Sequence, residues 1–290
     1  MTYISYKQAG PFTAGFFPVQ KEDGTWGFIN AYGKSVISCI YQKAQPFTSS
    51  KLAPVYTQKG RWELIDTAGN TKYVDPEEKN IEDVRPVYSD LMAVKYNGKY
   101  HYCDINFKEK FGSYDDASAF NNGVAAVKDG NKWFIIDEKG NQVGNSTFDE
   151  IVMDDKTVAF RNNVAFAKNG NKYILIDTKG NQIGSSSWDE VDAFNSDQPA
   201  AVRTGDKWGF INSKGELVVE AKYDGARSFS NGFAAVKKEK NWGFIESENY
   251  DICIDYMFDD VGDFSNGGSV FVKRIETWAM LKIYRLSKQA

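Results

Sequence analysis

One histidine, three cysteines and a small shortage of positive charge are the scarcities of this 290-residue chain. Each narrows what the protein does. His101 is the one side chain whose ordinary pKa lies near neutrality, and it sits between Tyr100 and Tyr102 in a strand-like run. It reads as a packing or surface residue, because a general base needs a partner within hydrogen-bond reach. No GxSxG, GxxxxGK[ST], HExxH or Gly-rich dinucleotide turn is present. Cys39, Cys103 and Cys253 are odd in number and contain no CxxC pair, which fits neither a disulfide framework nor a zinc site. They are expected to be buried thiols in a reducing compartment.

Lys and Arg total 35 against 39 Asp and Glu, for a net charge of −4. That balance supplies no cluster of cations for a phosphate backbone, so nucleic acid is not an expected partner. No run of about 18 apolar residues occurs, and Met1 to Phe17 lacks a basic segment followed by an apolar one. The expectation is a cytoplasmic protein with no membrane partner. No stretch sustains a 3.6-residue period, so no long helix is expected. No catalytic residue, cofactor or metal follows from any motif.

Aromatic residues, in contrast, are abundant and ordered. All seven tryptophans fall inside one recurring pattern, and Trp26, Trp62, Trp133, Trp208, Trp242 and Trp278 occupy the same position in it. Tyr100 and Tyr173 fill the two gaps, which makes eight copies at a mean spacing of 36 residues. A period of that size is one supersecondary unit copied along the chain. The length-only prior of one or two domains gives way to a single domain, 1–290.

One copy runs from Phe229 to Glu246. Two short runs rich in β-branched and aromatic residues are joined in other copies by Asp129-Gly130-Asn131 or Asn169-Gly170-Asn171, and they read as an antiparallel hairpin. An Asx turn closed by Gly140, Gly180 or Gly215 follows, then a third strand, plainest at Leu217 to Glu220. An aromatic-Asp pair comes next (Tyr114-Asp115, Phe148-Asp149, Trp188-Asp189, Tyr223-Asp224, Phe258-Asp259), and an extended segment leads on to Phe120, Phe194, Phe229 or Phe264.

The strand cores are apolar on both alternating faces, so each small sheet is expected to lie between two others. A bulky ring of one unit would then pack over the glycine of the next, as blades stack around an axis. Shifting the N-terminus by 217 residues puts Tyr6 on Tyr223 and Phe12 on Phe229, and Trp278 aligned on Trp208 puts Ala290 at position 220. Both ends then fall in a third strand. The expected fold is an all-β, eight-bladed propeller-like ring with one copy split between the termini and closed by pairing of the terminal strands. The alternative is an open β-superhelix.

The Trp-Gly-Phe-Ile core, preceded by Phe-Ser-Asn-Gly-Phe-Ala-Ala-Val-Lys and followed by Lys-Gly and Tyr-Asp, resembles the WG-repeat (KWG-repeat) family of bacterial proteins. The resemblance is strongest at 200–266 and good at 10–41 and 114–141. It implies an all-β repeat protein without assigned enzymatic chemistry, usually an interaction module. Glu63, Phe134, Ile174 and Ala279 depart from it at the glycine position, and the copy around Tyr100 loses its aromatic-Asp and Lys-Gly elements.

Carboxylate pairs at Asp115-Asp116, Asp154-Asp155, Asp189-Glu190 and Asp259-Asp260 invite an acid/base or calcium reading. Three of them follow the recurring aromatic, where a carboxylate accepts backbone hydrogen bonds, and neighbours on a strand face opposite sides. The calcium-loop pattern is absent. The repeated tryptophans read as core, whereas Tyr56, Tyr88, Tyr96, Trp188 and Tyr250 lie outside the common position and are the binding candidates. The leading expectation is a non-catalytic scaffold for another protein, a basic one given the acidic balance. An immunity-type inhibitor of a bacterial toxin is its specific form. Alternatives are a lectin-like module with a glycan partner and a hydrolase using two carboxylates across a central channel.

Overall fold

Strand-forming residues placed between turns of positive φ build eight small antiparallel sheets in the computed structural model, which describes residues 6–76, 79–153, 159–195, 197–262, 269–275 and 277–282. No helix occurs among them. Strands within a blade are lettered a to d, from the axis outward. Blade 1 comprises Gln8–Ala9, Phe16–Gln20, Trp26–Asn30 and Ser35–Tyr41; blade 2 Lys43–Ala44, Leu52–Tyr56, Trp62–Asp66 and Thr71–Val74. Blade 3 holds Asp83–Val84, Leu91–Tyr96, Lys99–Asp104 and Glu109–Tyr114. Blades 4 and 5 have strands a to c only: Asp116–Ala117, Val124–Asp129 and Lys132–Asp137, then Glu150–Ile151, Val164–Asn169 and Lys172–Asp177. Blade 6 is Glu190–Val191, Ala200–Thr204, Lys207–Ile211 and Leu217–Tyr223, and blade 7 is Gly225–Ala226, Phe233–Lys238, Asn241–Glu246 and Ile252–Phe258. Blade 8 contributes Asp260–Val261, Ser269–Arg274 and Thr277–Lys282.

Both faces of each sheet are covered because successive b-strand residues point to opposite neighbours. Ala125 and Val127 of blade 4 pack with Ala93, Tyr102 and Phe120, toward blade 3. Ala126 packs with Ile151, Ala165 and Ala167, toward blade 5. Small residues stand in strand b since the wedge narrows toward the axis. Blade 8 meets blade 1 through Phe17 and Phe271, edge to face with centroids 5.6 Å apart, inside a cluster with Tyr6, Val19 and Ile29. The ring is therefore closed, and the open superhelix is excluded. The expected pairing of terminal strands falls on 1–5 and 283–290, outside the described residues.

The indoles are not the main wedges. Trp62, Tyr100 and Trp133 are buried, but Trp26, Tyr173, Trp208 and Trp242 are half-buried; the Trp278 side chain lies outside the described residues. Each stands at the start of strand c, beside the b–c turn, so its outer edge meets solvent. The large side chains that are fully buried are mostly phenylalanines: Phe28, Phe210 and Phe244, two residues after the tryptophan, and Phe47, Phe120, Phe160 and Phe229 before the a–b turn. The thiols also divide: Cys103, on strand c, is buried, whereas on outermost strands Cys39 is half-buried against the cluster of Tyr6, Val19 and Ile29 and Cys253 is exposed.

The glycine after the tryptophan serves its own blade. A Cβ at Gly209 would stand 2.5 Å from the Val219 carbonyl oxygen and 2.8 Å from the Ala221 nitrogen, both in strand d. The register explains the approach: Trp208 pairs with Tyr223 and Phe210 with Val219, so two steps along strand c match four along strand d. The same bulge recurs in blades 1 and 7. Where His101 replaces the glycine, the bulge shrinks to three residues against two, Tyr100 with Tyr114 and Tyr102 with Phe111. Phe134 and Ile174 coincide with the loss of strand d, of which only bridges such as Trp133 to Phe148 and Tyr173 to Trp188 remain.

Candidate functional site

Antiparallel alternation puts the a–b and c–d turns on one face of the ring and the b–c turns and d-to-a links on the other. On the second face, the Asp of the aromatic-Asp pair ties two blades together. Asp149 accepts from the Gly170 N–H of its own blade at 2.8 Å and from the Lys132 ammonium of the blade before. Asp115 does the same with Gly130 and Lys99, Asp189 with Gly205 and Lys172, and Asp224 with the Glu239 N–H and Lys207. In all four the lysine, then the backbone N–H, holds the carboxyl below its ordinary range. These carboxylates are engaged in the frame. Asp154-Asp155 lies outside the described residues.

The first face carries a cavity of about 470 Å³. Thr13, Thr48, Tyr88, Asn121, Arg161, Asn195 and Ser230, one from each of blades 1 to 7, line it. Only the ring axis is common to all those blades, so this is the axial mouth. Each lining residue precedes or opens the a–b turn, and in blades 1, 3, 4, 5 and 7 the chain reverses there through paired positive φ values, 52° at Asn122 and 77° at Gly123 for example. That is the turn whose twist suits a two-residue hairpin, and it aims the preceding side chain at the axis.

Three mouth residues tie blades together. Thr48 Oγ1 donates to the Val87 carbonyl, Asn121 Nδ2 to that of Phe160 at 2.7 Å and Asn195 Nδ2 to that of Ser228 at 3.4 Å. They come from blades 2, 4 and 6, and each reaches the next blade. Thr13 Oγ1, from blade 1, is buried with no hydrogen-bond partner among the described residues. Arg161 is the one charged side chain among the described lining residues. No carboxylate stands among the described lining residues. A second cavity, about 350 Å³, lies where blade 8 meets blade 1, against Tyr6, Phe17, Arg227, Asp260 and Phe271.

The five aromatic candidates are not brought together. Tyr88 alone reaches the axial mouth. Tyr56 is half-buried, donates to the Gly60 carbonyl at 2.9 Å and packs against Trp62. Tyr250 is half-buried on Phe229, edge to face. Trp188 is only 5% exposed and meets Phe166 at 5.7 Å, because it bridges to Tyr173 of strand c, as Phe148 does to Trp133. Tyr96 is buried as well: His101 stacks on it at 4.0 Å, and its hydroxyl donates to Glu109. His101 Nδ1 lies 3.3 Å from the Glu109 carboxylate. No group of three or more His, Cys, Asp or Glu among the described residues is placed to hold a metal ion. The mouth residues escaped the sequence reading because each occupies the variable slot before the a–b turn, after a phenylalanine in every copy but that of Val87 and Tyr88; comparing that slot across copies would have singled them out.

Eight radially arranged sheets around a polar mouth define a repeat β-propeller. The chain carries the WG containing repeat, whose family profile matches residues 26–62, 112–133 and 208–242. No curated protein matches the sequence. Among solved structures, BamB from Moraxella catarrhalis is similar over 96% of this chain and 98% of its own, with a TM-score of 0.56 at 12% identity. KlHsv2 with loop 6CD replaced by a Gly-Ser linker is similar over 84% and 96%, at 0.54 and 8%. A eukaryotic initiation factor is similar over 98% and 90%, at 0.52 and 10%. At these identities the likeness is one of fold.

Proposed function

We propose that the chain is a non-catalytic protein-interaction scaffold that engages its partner through the outer wall of the ring. The observation behind this reading is that outermost strands expose apolar side chains: Val36 and Ile40 in blade 1, Leu217 in blade 6, Ile252 and Met257 in blade 7, with Ile40 at 53% and Leu217 at 56%. Blades 3 to 5 expose no large hydrophobic residue among the described residues. The apolar wall is thus one-sided, and exposed apolar surface of this kind marks contact sites.

The test is capture on the immobilised chain, comparing wild type with an Ile40→Lys, Met257→Lys double variant whose circular dichroism is unchanged. A stoichiometric partner held in high salt by wild type and lost by the variant is the expected result. Capture that vanishes with salt and ignores the substitutions would favour the acidic surface and basic partner read from composition. Failure to capture any stoichiometric protein defeats the reading. The immunity-type form adds one requirement, that the captured protein be a toxin silenced by mixing.

A further inference from the structure

Where the last blade meets the first, the repeat reverses a charge. In every blade the residue before strand a donates its N–H to a carbonyl near the end of strand b, as Lys7 does to Gln20, Asp115 to Lys128 and Asp259 to Lys273. Glu82, Asp115, Asp149, Asp189, Asp224 and Asp259 fill this slot in blades 3 to 8, and each accepts from an N–H of its own b–c turn. Blade 2 has Gln42 there, and blade 1 has Lys7. The other half of the clip is also missing, since strand c of blade 8 opens on Thr277 where blades 3 to 6 have lysine. Lys7 is exposed, has no ion-pair partner among the described residues and lines the cavity of about 350 Å³ at this seam.

That volume lies inside the range of about 300–1,000 Å³ typical of ligand pockets. Pro11 and Phe12 are half-buried on its wall. Behind them the Phe12 and Phe17 rings lie 4.7 Å apart, and Phe17 meets Phe271 edge to face. The described charged lining is Lys7, Arg227 and Asp260, with Arg227 4.0 Å from Asp260, so one positive charge is in excess. We propose that the seam cavity binds a small carboxylate carrying one aromatic ring, with the carboxylate at Lys7 and the ring on Phe12 and Pro11. The ligand then supplies the negative charge that six blades hold in this slot by side chain. An aromatic body is favoured over an aliphatic one because ring-to-ring contacts add to the burial of area. This goes beyond the protein-binding reading and does not depend on it, since the wall residues Ile40, Leu217 and Met257 do not line the cavity.

The experiment is calorimetric titration of the full chain with 3-phenylpropionate, beside its amide, which lacks the charge, and hexanoate, which lacks the ring. Saturable binding of 3-phenylpropionate, tighter than that of either comparison compound, is expected. Lys7→Gln should weaken it by about threefold to tenfold, the range of a charge-assisted contact at a partly exposed site. Lys7→Asp should abolish it and, because the residue is exposed, leave the fold intact. Lys240→Gln, on the b–c turn of blade 7 and outside the lining, should change nothing. A ligand held between blades 8 and 1 stabilises the closed ring, so 3-phenylpropionate should raise the melting temperature of wild type and not that of Lys7→Asp. Absence of saturable binding by 3-phenylpropionate, equal binding of the amide or of hexanoate, or unchanged affinity in a folded Lys7→Gln variant overturns the proposal.

Discussion

Substituting Gly209 by Ala tests the account of the repeat glycine. The added Cβ would stand 2.5 Å from the Val219 carbonyl oxygen and 2.8 Å from the Ala221 nitrogen. Both are backbone atoms of strand d, so relief requires the whole bulge to move by roughly half an ångström or more, the kind of overpacking that costs about 1–3 kcal/mol. Alanine also restricts the unfolded chain, which returns about 0.4–1 kcal/mol. The net expectation is a loss on the order of 1–2 kcal/mol. Gly262 supplies the control: a Cβ there meets the Phe271 carbonyl oxygen at an ordinary 3.6 Å and no positive φ is involved. Gly262→Ala should therefore be neutral or stabilising by up to about 1 kcal/mol.

Equilibrium urea denaturation gives the two differences, and amide exchange localises the effect. Gly209→Ala should lower the midpoint and speed exchange in Leu217–Tyr223, with little change in blades 3 to 5. Equal stability of the two variants, with unchanged protection in Leu217–Tyr223, would refute the claim that strand d fixes the glycine.

Two further expectations concern titratable groups. Burial pushes the Cys103 thiol up to about 12, whereas Cys253 is exposed. A thiol reagent at pH 8 should label Cys253 in the folded protein and reach Cys103 only on unfolding; prompt labelling of Cys103 contradicts its placement. The clips at Asp115, Asp149, Asp189 and Asp224 have depressed folded pKa values. Their stabilisation is fully present above the unfolded value of about 3.9 and is lost as pH falls through the lower folded values. Melting temperature should drop below about pH 4 in wild type and less steeply in Asp149→Asn; identical acid slopes would remove the clip from the account.

The ring was legible because its determinants repeat. Aromatic spacing, Asn-Gly and Asp-Gly turns and two-faced apolar strands each recur about eight times, so one poor copy does not hide the rest. Trp188 shows where single-residue reading fails. As an aromatic outside the tryptophan register it suggested a ligand platform, although it also belongs to the aromatic-Asp series with Tyr114, Phe148, Tyr223 and Phe258, all paired with the recurring Trp or Tyr of strand c. Position in the repeat decides its burial, and residue type does not. The expectation for the glycine failed for a related reason: a register shift between strands c and d is a three-dimensional fact, and its link to the glycine shows only in the structure, where strand d is lost beside Phe134 and Ile174. The mouth was harder still, since its residues lie one per repeat and become neighbours only when the ring closes.

Closure also explains why the mouth can be variable while the frame is not. Blades 3 to 7 are wedges fixed at both ends, by Lys-Asp clips on one face and by axial bonds such as Asn121 to the Phe160 carbonyl on the other, with buried phenylalanines between. Exposed clips add little singly, but they act where a sheet would otherwise slide over its neighbour, and the dry phenylalanine layer resists the same motion through packing. A wedge so constrained holds its a–b turn in place, the residue before the turn supplying the bond in blades 2, 4 and 6, and blades 3 and 5 receiving it at the Val87 and Phe160 carbonyls. Tyr88 and Arg161, in blades 3 and 5, can thus differ in size and charge without altering the backbone that presents them. The geometry of the mouth thus follows from contacts between blades, and its chemistry from the single residue that each blade places before its a–b turn.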